Sequence, residues 1–187
     1  MKLLGNLAGV FATLGAVALL ALVLSLWRIS NGLPNYEHLA NYTPPVMSRV
    51  HAGDGSLIAE YAQERRLFVP IDVVPDHVIN AFLAAEDKNF YNHIGIDFVG
   101  IARAVFQNVL NVAAGKRLEG ASTITQQVAK NFLLSSDVTL ERKLKEAVLA
   151  LRLERTFNKR QLLELYLNEI YLGLGSYGVA AAALNYF

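Results

Sequence analysis

Between Leu7 and Trp27 the sequence contains no charged residue. As a helix, an apolar run of this length is about long enough to cross the ~30 Å hydrocarbon core of a membrane. Lys2 and Arg28 bracket the run, and Trp27 stands where an interfacial aromatic residue is expected. A cleaved signal peptide is the alternative, but its apolar core is typically ~7–15 residues and leads into a small-residue cleavage site. The exit of this run offers no such site, so we predict an uncleaved, single-pass membrane anchor.

The whole chain has 187 residues. The part after the apolar run is long enough for one domain with a sizeable core. Prolines within residues 31–45 indicate a linker. Two strand-like runs, residues 46–50 and 57–61, flank Asp54-Gly55 and indicate a β-hairpin. Farther along, apolar residues recur at helical spacing, so the main domain is predicted to be mainly α. The predicted divisions are residues 1–6 (tail), 7–27 (anchor), 28–70 (linker and hairpin) and 71–187 (main domain).

Composition narrows the classes of function. The formal net charge of +1, without a long basic run, gives no case for a nucleic-acid partner. The sequence has no cysteine, which removes disulfides, thiol nucleophiles and thiolate metal sites. His93 has no second histidine or cysteine at ligand spacing, so we interpret it as a turn or core residue and leave any metal ligand unknown.

Residues 98–112 form an apolar helical pattern whose polar stripe is limited to Arg103, Gln107 and Asn111. A helix of this kind is either buried or in contact with lipid. The sequence alone leaves both alternatives open.

Glu86 is the first candidate for catalysis. It follows Phe82 and Leu83 at helical spacing, in a helix that Asp76 is predicted to cap, and so shares a face with apolar side chains. We expect a carboxylate there to be partly desolvated, which makes it a better proton acceptor near neutral pH. The alternative is a solvated acid at a helix C-terminus, a placement that the helix dipole disfavours.

A second helix combines a cap with polar side chains. Thr123 and Gln126 fit a capping box, and the polar side of the helix that follows carries Gln127, Lys130 and Asn131. The free N–H groups and the dipole of a helix start favour an anion, and Lys130 adds positive charge one to two turns later. A solvated surface face is the alternative.

Arg142, Lys143 and Glu146 share one face of a further helix, at three- and four-residue spacing. The alternative to a functional cluster is an ordinary ion pair worth ~0.2–0.5 kcal/mol. Because the cations precede the acid, which is the weaker order for such a pair, the spacing favours function. Lys159 opens another helix and is expected at the surface.

Together these residues resemble the peptidoglycan glycosyltransferase family, in particular the glycosyltransferase module of class A penicillin-binding proteins. Five ordered motifs between residues 86 and 187 carry the resemblance. The first three match at Glu86, Asp87, Phe90, His93 and Gly95; at Gly120, Ser122, Gln126, Gln127, Lys130 and Asn131; and at Arg142, Lys143 and Glu146. The fourth runs from Lys159 through Glu164 to Tyr166 and Asn168, and the fifth from Gly178 to Phe187.

The resemblance implies a lysozyme-like, mostly helical fold with a small membrane-proximal β-hairpin and one N-terminal transmembrane helix. It implies polymerisation of lipid II by inverting transfer, with Glu86 as general base and undecaprenyl pyrophosphate as leaving group. Glu146 is the second residue assigned to catalysis, near the pyrophosphate. Lys130, Arg142 and Lys143 are the cations implied to neutralise that group. The other residues implied to bind substrate are Asp87, Phe90, His93, Ser122, Thr123, Gln126, Gln127, Asn131, Glu164, Tyr166 and Asn168.

The same resemblance sets expectations for cofactors, partners and location. It leaves room for a divalent cation, magnesium or manganese, and implies no organic cofactor. Lipid II, the growing glycan strand and the cytoplasmic membrane are the implied partners, with cell-wall synthesis proteins as further candidates. The catalytic domain is expected on the outer, periplasmic face of the cytoplasmic membrane. We also expect the chain to be the N-terminal part of a longer protein with a DD-transpeptidase domain beyond Phe187.

One position departs from the family pattern, because Val138 stands where a basic residue is common. Two other functions stay open. A lysozyme-like lytic enzyme acting on finished glycan would use an acidic catalyst without the basic cluster or a lipid-facing helix. A non-catalytic membrane scaffold would need neither Glu86 nor Glu146.

Overall fold

The computed structural model describes residues 13, 15–17, 19, 20, 23, 24, 27–37, 39, 42, 48–61, 65–135 and 137–187. The predicted anchor falls largely on residues outside this set. Within the described part of the chain, no helix is both long enough and apolar enough to cross a membrane. The anchor therefore stays a prediction.

The fold is mainly helical, as predicted, and is consistent with the lysozyme-like fold that the resemblance implies. The helices are α1 (Asp76–Glu86), α2 (Phe98–Ala113), α3 (Ile124–Leu133), α4 (Leu140–Thr156), α5 (Lys159–Glu169) and α6 (Val179–Tyr186), with 3-10 turns at Ile71–Val73 and Phe90–Asn92. The strands are β1 (Ser48–His51), β2 (Leu57–Tyr61), β3 (Arg65–Arg66) and β4 (Ser176–Tyr177). Strands β1 and β2 pair antiparallel on either side of Asp54-Gly55, and β3 pairs parallel with β4.

Local capping signals place the helix starts. The predicted capping box of Thr123 and Gln126 opens α3, and a second capping box, formed by Asn158 and Gln161, opens α5. The predicted cap of α1 is wrong, because Asp76 is already the first helical residue and follows Pro75. Its carboxylate lies in the first turn, where it interacts favourably with the helix dipole without forming a side-chain cap.

Helix α3 lies at the centre of the core, where it packs against α4 and α5. The first two turns of its apolar side are buried, as are the facing sides of the two neighbouring helices, because each follows the helical period of apolar residues. The central side chains are Ile124, Val128, Leu149, Leu153, Leu162 and Leu163.

The segment that the sequence indicated to be a linker packs against this core. Leu39 is buried within it, and Leu33 and Tyr36 pack against it. The ring of Tyr42 meets Phe132 edge-on, with centroids 4.8 Å apart. The described residues of this segment are therefore docked on the domain, because aromatic and aliphatic side chains here find partners that are distant in sequence.

Helix α2 exposes its apolar side. Six of its apolar side chains are 61–73% exposed, and only Gly100, Ala104 and Asn111 of this helix are buried. Of the two alternatives for this helix, burial is thus wrong. The exposed residues, here called the α2 apolar face, are Phe98, Val99, Val105, Phe106, Val109 and Val112.

Candidate active site

A cleft extends to both sides of Glu86. Its first part, of about 470 Å³, lies between the end of α1, helix α2 and residues 119–123. Its second part, of about 450 Å³, lies between α3 and α4. Ala85, Glu86, Gly120 and Ser122 line both parts, so Glu86 is at their junction.

Glu86 is the last residue of α1, and its side chain is exposed. The expectation of a partly desolvated carboxylate is therefore wrong. Phe82 and Leu83 pack against the core, but the helix ends at Glu86 and leaves this side chain in the open cleft. The Nε2 group of Gln127 donates a hydrogen bond of 2.8 Å to Oε2 of Glu86, which orients the carboxylate.

The residues after Glu86 tie the end of α1 to the start of α3. Nδ1 of His93 accepts from the Gly95 N–H at 3.1 Å, so the ring proton lies on Nε2. That nitrogen lies 3.0 Å from each carboxylate oxygen of Asp87, and Asp87 Oδ2 also accepts from the Ile124 N–H at 3.0 Å. The Thr123 hydroxyl donates to the Gly95 carbonyl at 2.7 Å. These bonds hold Glu86 and Gln127 next to each other.

Glu146 organises the cationic side of the cleft. It is 1% exposed, and its two oxygens accept from Arg142 Nη1 and, at 2.8 Å, from Lys143 Nζ. A buried carboxylate is stable only when it is paired in this way, so the cluster is more than the ordinary surface ion pair. Lys143 Nζ also donates to the Ser122 hydroxyl at 2.6 Å, which joins α4 to the loop that precedes α3.

Lys130 completes the cationic side. It is exposed and lines the second part of the cleft with Arg142 and Lys143. Partial burial, and after it the positive charges of Arg142 and Lys130, lower the pKa of Lys143 below its ordinary value. Positive charges this close together repel one another, and a bound anion would offset the repulsion.

The predicted residues of the fourth motif form bonds within the protein. Glu164 accepts from the Ile71 N–H at 2.7 Å, and Asn168 bonds both backbone groups of Val69 at 2.8 and 2.9 Å. Tyr166 is 1% exposed, and burial, followed by the charge of Glu86, raises the pKa of its hydroxyl. These contacts give the three residues a supporting position, and their role in substrate binding stays a prediction.

The other predicted binding residues divide in the same way. Phe90, Thr123 and Gln126 are buried, whereas Asn131 is partly exposed. Asn131 lines a shallow pocket next to the cleft, and Val138 lines the same pocket. As ligands of substrate, these residues also stay predictions.

The first part of the cleft contains residues that sequence reasoning did not assign to the site. Lys88, Asp97, Arg103, Gln107 and Glu119 all line it. The sequence contained a signal for two of them, because Arg103 and Gln107 belong to the polar stripe, at four-residue spacing, of an otherwise apolar helix. Asp97 caps α2 by accepting from the Gly100 N–H at 2.8 Å.

Among the described residues, the donor set of the cleft does not fit a divalent cation held by protein side chains. Both oxygens of Glu146 are already bonded to cationic side chains. In the described part of the chain, no three histidine, cysteine, aspartate or glutamate side chains are grouped so that they could hold a metal ion.

The motifs and the mainly helical cleft define a class of protein. A sequence profile of the family described as Transglycosylase matches residues 54–187, so the chain belongs to the transglycosylase family. This match confirms the family assignment made from the motifs.

The curated relatives share a name. The chain is 57% identical over 162 residues to penicillin-binding protein 1A of Rickettsia felis, which covers 87% of this chain and 20% of that protein. Identity to penicillin-binding protein 1A of Rickettsia prowazekii is 53% over 178 residues, which cover 95% of this chain and 23% of that protein. Identity to penicillin-binding protein 1A of Aquifex aeolicus is 49% over 180 residues, which cover 95% of this chain and 24% of that protein. The chain thus spans about a fifth to a quarter of the length of these curated relatives.

Proposed function

We propose that this chain is a peptidoglycan glycosyltransferase that polymerises lipid II into glycan strands during cell-wall synthesis. One observation carries the proposal, namely an exposed glutamate at the junction of a two-part cleft whose second part is lined by Lys130, Arg142 and Lys143. A base beside a cluster of cations suits transfer from a pyrophosphate. Hydrolysis of finished glycan would leave the cations without a role.

In the proposed reaction, Glu86 takes the proton from a sugar hydroxyl of the acceptor. The hydroxyl oxygen attacks the anomeric carbon of the donor, and the bond from that carbon to the pyrophosphate oxygen breaks with its electron pair. The transition state is oxocarbenium-like and the configuration inverts, as in inverting glycosidases. The hydrogen bond from Gln127 supports this role, because it fixes the direction in which Glu86 presents its oxygens.

The leaving pyrophosphate needs neutralisation of charge more than it needs a proton. Lys130, Arg142 and Lys143 supply positive charge in the second part of the cleft, where a preorganised cation stabilises the negative charge that develops. Glu146 holds Arg142 and Lys143 in place and leaves the cluster with excess positive charge. We infer that the donor pyrophosphate lies in this part and that the acceptor enters through the part lined by Arg103.

The α2 apolar face supports a substrate that is held in a membrane. Its exposed aromatic and aliphatic side chains belong to α2, the helix that also lines the first part of the cleft. Exposed apolar patches of this kind mark lipid or protein contacts. We propose that the domain lies on the outer face of the cytoplasmic membrane. We also propose a longer parent that carries a DD-transpeptidase domain, since the relatives are named penicillin-binding proteins.

The N-terminal run is expected to remain attached to the mature protein. The reason is the uncharged stretch between Leu7 and Trp27, which has no small-residue cleavage site at its exit. Sequencing of the mature N-terminus checks this expectation. A mature chain that begins near Arg28 would instead identify a cleaved signal peptide.

The proposed role of Lys143 predicts a dependence on pH. Only the protonated amine neutralises pyrophosphate, and the lowered pKa of Lys143 means that kcat/KM should begin to fall at a pH below the ordinary lysine value of about 10.4. Lys143→Arg should move this alkaline decline to higher pH, relative to its own plateau, because a guanidinium stays protonated. Lys145→Arg, on the same helix, is the control. Identical alkaline profiles for the wild type and Lys143→Arg would exclude Lys143 from this role.

The experiment that tests the function compares two substrates. The full-length protein in detergent should consume lipid II and produce polymer, and it should not shorten finished glycan. Cleavage of finished glycan would support a lytic enzyme. Inactivity on both substrates, by protein that is folded, would support a scaffold.

A further inference from the structure

We propose that Asn108 is a positioning residue of the transfer reaction: it fixes the loop that carries Ser122 and thereby aims Lys143 at the leaving group. This inference rests on the function proposed above. Asn108 belongs to none of the motifs that indicated the site.

The side-chain amide of Asn108 bonds both backbone groups of one distant residue. Its Oδ1 accepts from the Glu119 N–H at 2.7 Å, and its Nδ2 donates to the Glu119 carbonyl at 3.0 Å. One turn later, Nδ2 of Asn111 donates to the Arg117 carbonyl at 3.2 Å. Two asparagines on one side of α2 thus hold the returning chain, which we call the 114–120 loop.

Backbone hydrogen bonds to Leu110, Asn111 and Val112 fix the turn at residues 114–116. Beyond that turn, the described residues of the loop are held by the two asparagines. Residues 114–120 contain no helix or strand, and all of them are exposed. The ordering of such a segment costs about 1–2 kcal/mol of backbone entropy per residue, which its hydrogen bonds to α2 help to offset. The bidentate contact at Glu119 is the last of these along the loop, and Glu119 already lines the first part of the cleft.

The held segment leads directly into the site. Gly120 and Ser122 line both parts of the cleft, and the Ser122 hydroxyl accepts from Lys143 Nζ at 2.6 Å. Only two residues separate Glu119 from Ser122, so we expect a displacement of Glu119 to move the Ser122 hydroxyl as well. Lys143 would then keep its bond to Glu146 but lose the contact that sets its direction.

Both amide atoms of Asn108 are engaged by the loop, so its effect passes through the loop rather than through substrate. A misplacement of about 1 Å can reduce turnover by on the order of 100-fold. We therefore expect Asn108→Ala to lower kcat/KM by roughly 10- to 100-fold with lipid II as substrate. Asn108→Asp should have a similar effect, because a carboxylate cannot donate to the Glu119 carbonyl.

The control is Asn92→Ala, a change at an exposed asparagine outside the cleft. The test combines kinetics of the full-length protein in detergent with a double-mutant cycle. If Asn108 acts through Ser122, the losses in kcat/KM from Asn108→Ala and Ser122→Ala should not multiply. The kcat/KM of the double variant should be little lower than that of the less active single variant. Losses that multiply fully would overturn the proposal.

A second readout does not depend on activity. Trypsin should cut after Lys116 and Arg117 of the loop faster in Asn108→Ala and Asn108→Asp than in Asn92→Ala, at an unchanged melting temperature. Faster cleavage with unchanged kcat/KM would show that the clamp holds the loop without aiming Lys143, and would overturn the proposal. Unchanged cleavage would overturn it as well. Failure of the wild type to consume lipid II is a different result and would reject the proposed function itself.

Discussion

Glu86→Gln is expected to abolish polymerisation of lipid II while leaving folding and lipid II binding nearly intact. The amide retains the size of the carboxylate, and its oxygen can still accept the hydrogen bond from Gln127. It cannot take a proton from the acceptor hydroxyl, and the loss of a general base typically costs ~10²–10⁴-fold in rate. Steady-state rates of the full-length protein on lipid II in detergent measure the effect.

A matched control separates loss of the base from loss of any surface charge. Glu37→Gln makes the same chemical change at an exposed glutamate outside the cleft and should leave the rate unchanged. Because Glu86 is itself exposed, its substitution should not lower the melting temperature. A Glu86→Gln enzyme that retains more than about a tenth of the parent rate would rule out the assignment, since a lost base costs at least ~10²-fold.

Lys130→Ala should produce the second large loss. Lys130 is exposed in the part of the cleft that we assign to the donor pyrophosphate, where its ammonium group can form a charge-assisted hydrogen bond to the developing charge. Removal of one such donor typically costs ~10²–10³-fold in kcat. Single-turnover rates with lipid II would show whether the loss lies in the chemical step.

Restoring a cation near Lys130 should recover part of this loss. Val138 is 93% exposed and lines a shallow pocket together with Lys130 and Arg142, where the family pattern commonly has a basic residue. Val138→Arg places a guanidinium beside that pocket, so the double variant with Lys130→Ala should be faster than Lys130→Ala alone. An unchanged rate would mean that the pyrophosphate does not reach this side of the cleft.

Lys159→Ala is the comparison for Lys130→Ala, and the structure changes what it is expected to do. The expected surface location of Lys159 is wrong, because its Nζ lies 2.7 Å from Glu154 Oε1 and 4.5 Å from the centre of the Phe90 ring. Its removal would leave a largely buried Glu154 with one partner fewer. Lys159→Ala should therefore lower the melting temperature. Its loss of rate per folded molecule should be smaller than that of Lys130→Ala. Equal rate losses for the two lysine variants would place the pyrophosphate elsewhere.

Features that depend on near neighbours could be predicted from the sequence. The capping boxes of α3 and α5 each join residues three positions apart, so their side chains meet wherever the helix begins. The same holds for the spacing of Arg142, Lys143 and Glu146 along one helix face. The family followed from the order of such local motifs along the chain.

Features that depend on distant neighbours were decided by the tertiary structure. Asp87 bonds a backbone N–H 37 positions away, and Asn108 bonds Glu119 across a loop of exposed residues. The exposure of Glu86 and the docking of Leu39 likewise depend on which helices meet, and periodicity along the chain carries no information about that choice. The sequence by itself determined the helices, the motifs and the family. The tertiary packing of the helices decided which side chains face the cleft, because a hydrogen bond between distant residues forms only after the chain has brought them together.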